Sequence, residues 1–113
     1  MITMLCRFDL DPDVAPSMFC DQYREFEKRL IELGLIQSGS GLGTRISDTP
    51  MDTDVASAPR YYSLMHFKDR RQLDNSYDVF AGRTALEAPF EEHQAIKSAT
   101  TSQVFTCWEA PDN

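Results

Sequence analysis

The sequence predicts an α+β fold in which strands and helices follow the split βαβ order, β-α-β-β-α-β. Two observations carry this prediction. Apolar residues alternate, then recur at helical spacing, then alternate through two stretches, return to helical spacing, and close on a last alternating run. The 113 residues leave room for one core, so residues 1–113 are read as a single domain. A four-stranded antiparallel sheet with both helices on one face leaves its other face open. An open apolar face on so small a chain calls for a second copy as cover.

The first strand is the clearest. Ile2, Met4, Cys6, Phe8 and Leu10 alternate with Thr3, Leu5, Arg7 and Asp9, which gives one wholly apolar face. Asp11-Pro12-Asp13 breaks the run, and Pro16 suits the opening turn of a helix. Phe19, Tyr23, Phe26, Leu30 and Leu33 then recur at steps of four and three, and Gly34 supplies a left-handed stop. A Gly/Ser-rich stretch from Gln37 to Gly43 precedes a short strand around Leu42 to Ser47. Asp48 to Pro59, with two prolines and three aspartates, reads as a solvated surface loop between adjacent strands. The third strand, Arg60 to Lys68, is rich in aromatics. Asp69 is placed to cap a helix in which Leu73, Tyr77 and Phe80 share a face and which Gly82 ends. A further helical segment, about Ala88 to Ser98, carries Phe90, His93 and Ile96 along one flank, and the last strand spans Thr101 to Ala110.

Composition narrows the function classes. Hydrophobic residues make up 42% and charged residues 26%, a globular balance with no apolar run long enough to span a bilayer. Met1 to Leu10 has no basic leader or cleavage site and reads as a strand, so the expected location is cytoplasmic. A formal net charge of −7 repels phosphate backbones and anionic lipid, which argues against nucleic acid or a membrane as partner. Cys6, Cys20 and Cys107 are odd in number and lack C-x-x-C spacing; they are expected to be reduced, buried thiols rather than disulfides or zinc ligands.

Several apparent motifs dissolve on physical grounds. Gly39-Ser40-Gly41-Leu42-Gly43 follows a helix rather than a strand and has no Lys-Ser/Thr, so it is a turn and not a phosphate loop. Asp48, Asp52 and Asp54 lack the central Gly and terminal Glu of a calcium loop. Glu91, Glu92 and His93 stand at consecutive helix positions and point apart, and two histidines make a poor basis for a metal site. No metal or cofactor is expected.

The element order, the length and the closing strand Gln103-Val104-Phe105-Thr106-Cys107-Trp108-Glu109 resemble the dimeric α+β barrel superfamily, whose subunits are ferredoxin-like. Phe90-Glu91-Glu92-His93 is similar to the aromatic-x-x-His helix of its small monooxygenase-like members, which implies a pocket role for His93. The resemblance implies a homodimer built through the sheet faces. It also implies one of two functions: a cofactor-independent monooxygenase-like or isomerase-like enzyme, or a non-catalytic ligand-binding or accessory module. The haem-degrading members use an Asn on an early strand and a Trp before a helical His; this chain has Arg7, and Trp108 follows His93.

Strand parity then selects the candidate site. Taking the more polar set on each strand gives Arg7, Tyr62, His66, Thr106 and Trp108 on the face turned away from the helices. Those groups suit a small aromatic or anionic ligand: the guanidinium of Arg7 can fork a carboxylate or enolate, the imidazole of His66 can move a proton near neutral pH, and Tyr62 and Trp108 supply apolar wall. Arg7, Tyr62 and His66 are the candidate catalytic residues; Thr106, Trp108 and His93 are the candidate ligand contacts. Each has an ordinary alternative. Arg7 can pair with Asp9, a neighbouring-strand carboxylate or a partner subunit; His66 and Trp108 can be packing residues, and His93 a helix-boundary residue.

Overall fold

The computed structural model describes residues 1–82 and 90–111, Phe90 by its backbone alone. β1 (Ile2–Leu10) leads through α1 (Pro16–Glu32) to two short strands, β2 (Ser38–Gly39) and β3 (Gly43–Thr44), then to β4 (Tyr61–Phe67), α2 (Arg70–Phe80), α3 (Phe90–Ala99) and β5 (Thr100–Glu109). The strands form one antiparallel sheet in the order β2-β4-β1-β5, with β3 also paired to β4. The molecule is 19 Å through its thinnest dimension, the depth of one sheet and one helix layer.

Of the second strand expected around Leu42 to Ser47 only β3 is present, and β2 lies in the Gly/Ser-rich stretch before it, whose composition reads as flexible. Between the Gly39–Met65 and Gly43–Tyr62 pairs, residues 40–42 of the edge oppose only residues 63–64 of β4, a one-residue bulge. Ser40 fills the break: its N–H donates to the Leu64 carbonyl at 2.9 Å and its hydroxyl oxygen accepts from the Leu64 N–H at 2.8 Å.

The alternation in β1 and β4 sorts the faces as predicted. Ile2, Cys6 and Phe8 meet Met65 and Phe67 under the α1 stripe of Phe19, Tyr23, Phe26 and Leu30. Phe8 is the hub, with ring centroids 5.9 Å from Phe19, 6.1 Å from Tyr23 and 6.3 Å from Tyr61. Each such large apolar side chain contributes about 1.5–3 kcal/mol by leaving water. One polar seam crosses this core, where Tyr23 Oη and Ser63 Oγ share a short hydrogen bond beside Cys6. Burial pushes the Cys6 thiol up to about 11, so it stays protonated and inert.

The helix ends follow local chemistry. Pro16 opens α1, and Gly34 leaves it with φ +71°. Asp69 accepts from the Gln72 N–H at 2.9 Å to cap α2, and Gln72 Nε2 reaches back to the Gly34 carbonyl at 3.0 Å. The inward face of α2 differs from the expected one: Ser76 and Val79 are buried between Leu73 and Phe80, while Tyr77 lies 62% exposed. In this orientation Ser76 donates to the Leu35 carbonyl, which satisfies its buried hydroxyl. In α3 the start expected at Ala88 lies outside the described residues; Ile96 is buried as expected. β5 departs most from expectation. Residues 101–109 are exposed along the whole strand, Phe105 and Cys107 included, because the helices pack over β1 and β4 and leave this edge uncovered. All three cysteines are free thiols, with Cys6 buried, Cys20 half-buried and Cys107 exposed rather than buried.

Candidate functional site

The pairing registers arrange the open face in three cross-strand rows. Val104, Arg7 and Tyr62 form the first, Thr106, Leu5 and Leu64 the second, and Trp108, Thr3 and His66 the third. All five residues selected by strand parity therefore share one face. They do not share one point: Tyr62 and His66 are four residues apart on β4, a separation of about 13 Å at 3.3 Å per residue. The face has an Arg/Tyr end, a floor of Leu5 and Leu64, and a His/Trp end. At the far end Thr3 Oγ1 lies 3.0 Å from His66 Nδ1, and Trp108 Nε1 donates to Thr106 Oγ1 at 2.8 Å. Trp108 is 64% and Tyr62 41% exposed.

The loop between β3 and β4 folds over the Arg/Tyr end, and there it makes a cleft of about 540 Å³ lined by Leu5, Arg7, Arg45, Asp54 and Tyr62 among others. Arg7 Nη1 donates to Asp54 Oδ2 at 3.0 Å, so within the chain Arg7 pairs not with Asp9 or a neighbouring-strand carboxylate but with a loop carboxylate 47 residues along the sequence. The acidic loop is also not simply solvated. Arg45 forks onto Asp52 at 2.7 and 2.9 Å and donates to the Val55 carbonyl at 3.0 Å, pinning the loop from within. The hydrogen bonds from Arg45 hold the Asp52 carboxyl below the usual carboxylate range, and the same bonds raise the guanidinium.

His93 is not brought to this face. It stands on α3, on the helix side of the sheet, its ring 4.6 Å from Phe80 and 6.1 Å from Phe26. Burial, and then Lys97, lower its pKa, which suits a neutral ring in an aromatic boundary. Among the described residues no group of three His, Cys, Asp or Glu side chains has the geometry to hold a metal ion.

Sequence reasoning missed three residues that shape the cleft. Asp54 and Arg45 carried no signal beyond their charge, since their pairings span the loop. Gly43 carried one: a Cβ built there would lie 2.1 Å from Tyr62 Cε1, so only glycine lets the ring lie against the edge strand.

The two layers, the antiparallel order and the helices on one face define a ferredoxin-like α+β fold. No protein-family profile and no curated protein matches the chain in sequence. Solved structures match in shape. An Arabidopsis thaliana protein superposes over 100% of this chain and 98% of its own at 7% identity, with a TM-score of 0.74. A Bacteroides fragilis protein, described as dimeric, ferredoxin-like and of unknown function, matches over 96% of this chain and 95% of its own at 12% identity and TM-score 0.61. A Deinococcus radiodurans protein provisionally named an antibiotic biosynthesis monooxygenase matches over 100% and 95% at 11% identity and TM-score 0.61. These likenesses establish the fold.

Proposed function

We propose that this protein is a homodimer whose paired sheet faces enclose a pocket for a small aromatic, anionic molecule, and that it acts there as a cofactor-independent, monooxygenase-like or isomerase-like enzyme. The observation that carries the reading is the open face itself: a guanidinium and a phenol at one end, an imidazole and an indole at the other, and an apolar floor about 13 Å long between them. A planar molecule of two or three fused rings fits that length. Arg7 anchors its carboxylate or enolate, and Tyr62 packs on its edge. When His66 donates its Nδ1 proton to Thr3, its Nε2 lone pair is free to take a proton from an acidic C–H or O–H. The resulting anion is reprotonated elsewhere in an isomerisation, or in a monooxygenation gives its electrons to dioxygen, forming a peroxide on the substrate carbon whose O–O bond then breaks to leave one oxygen as a carbonyl and release the other as water. The Deinococcus radiodurans neighbour's provisional name supports the second course.

A second reading, a non-catalytic ligand-binding or accessory module, draws on one observation: Arg7 and His66 already have protein partners, Asp54 and Thr3.

Trp108 is the chain's single tryptophan and stands on this face, so its fluorescence reports on the pocket directly. Titration with fused-ring carboxylates and phenols is expected to quench it, and Arg7→Met to weaken the carboxylates by about 1.5–3 kcal/mol, the range for losing a charge-assisted hydrogen bond. Oxygen consumption or substrate rearrangement by the wild type, abolished in His66→Gln, supports the enzyme. Binding without turnover supports the module. No quenching by any such compound overturns both.

A further inference from the structure

We infer that Asp54 is the pocket's built-in stand-in for a ligand carboxylate, so that the site selects aromatic monocarboxylates able to displace it from Arg7. The inference rests on the reading of the open face as a ligand pocket and adds to it a residue that sets the ligand's charge. Arg7 offers five N–H donors in a planar fork, yet it meets Asp54 through a single contact, Nη1 to Oδ2 at 3.0 Å. Among the described residues Nη1 is the only Arg7 nitrogen with a hydrogen bond. The other Asp54 oxygen, Oδ1, accepts from the Val55 N–H at 2.9 Å within the loop. The pair is therefore end-on and one-legged, with the Arg7 and Asp54 side chains 35% and 47% exposed. A free carboxylate arriving in the cleft can take the guanidinium two-legged, which is the stronger geometry.

The cleft is built to survive the exchange. Asp52, two residues before Asp54, is clamped by the Arg45 fork, so the base of the loop stays anchored when its tip lets go. With Asp54 withdrawn, Asp52 stays on Arg45 and the Asp9 carboxylate, which accepts from the Arg60 N–H at 2.9 Å, stays beside Arg60, so Arg7 is the lining cation left to a ligand carboxylate. A neutral aromatic gains nothing from displacing Asp54, because it leaves Arg7 unpaired. The ligand class follows: a flat apolar body bearing one carboxylate, which replaces Asp54 charge for charge.

The test compares 2-naphthoate with its neutral counterpart, 2-naphthamide, on the full chain. For an exposed pair of this kind, Asp54→Asn is expected to tighten 2-naphthoate by about 1.5- to fivefold, since the closed pair withholds that share of Arg7 from the ligand. The amide is expected to bind equally to both forms, and binding of the acid to the wild type is expected to shift the backbone amide resonances of Asp54 and Val55. Asp54→Ser checks that the gain comes from losing the carboxylate rather than from the asparagine. If 2-naphthoate binds at Arg7 and Tyr62 but neither variant tightens it, Asp54 is a loop clip and the inference falls while the pocket stands. If 2-naphthoate shifts no open-face resonance in any form, the pocket reading falls and takes the inference with it.

Discussion

Glu27 is the residue whose chemistry fits its surroundings least well. It lies on α1, 6% exposed, against the Gly39–Gly41 turn, and Gly41 donates a backbone hydrogen bond to it while Oε2 finds no partner among the described residues. Gly39 exists to admit it, because a Cβ there would fall 1.8 Å from Oε2. Burial raises the Glu27 pKa, outweighing the Gly41 bond and Arg24. A carboxyl raised in the folded state favours the fold while protonated, and that contribution is lost as pH rises through the folded value. Above that value the carboxylate works against the fold. Glu27→Gln is expected to melt higher than the wild type at pH 7, and the difference to shrink as pH is lowered toward the ordinary carboxylate range. Melting curves of the two proteins across pH 4 to 8 check this; a constant difference would show that charge is not its cause.

The β3–β4 loop shows what a single side chain does for an element. Its twelve residues, Asp48 to Pro59, have no strand or helix to hold them, and the Arg45 fork with its bond to the Val55 carbonyl supplies the tie. Arg45→Ala removes every part of it. The expected result is faster proteolytic nicking within residues 48–59, with the core unchanged by near-ultraviolet circular dichroism. Resistance to nicking equal to wild type would place the loop's order elsewhere. β2 and β3 make the complementary point. The Gly/Ser composition that reads as flexibility is instead ordered as a bulged edge, because Ser40 replaces the missing ladder bonds with its own hydroxyl.

At the scale of the molecule, the sheet is covered on one face only. Tyr62, Val104 and Trp108 are exposed on the open face, and Phe105 is 55% exposed on the other side of the uncovered β5 edge. Large apolar side chains exposed across an uncovered sheet face call for cover. Sedimentation of the wild type is expected to show a dimer at micromolar concentration burying on the order of 2,000 Å² or more in total. Leu64→Asp, a charge at the centre of the open face, is expected to give a folded monomer. A persistent wild-type monomer would refute the dimer. Much of this was legible beforehand: period-two and helical spacing in β1, β4 and α1 need only local sequence, since burying one face of each fixes parity and hence puts Arg7, Tyr62, His66, Thr106 and Trp108 together. His93 looked the same in sequence as a pocket residue, yet the layer on which α3 sits turned it toward Phe26 and Phe80. The sequence by itself determined the element order, the two faces of the sheet and which side chains share the open one, because these follow from periodicity within a strand. Only the tertiary structure decided how far apart those side chains lie, that Asp54 answers Arg7 and Asp52 answers Arg45, and that glycine at 43 seats Tyr62, because loop closure and cross-strand register bring together residues that no local spacing relates.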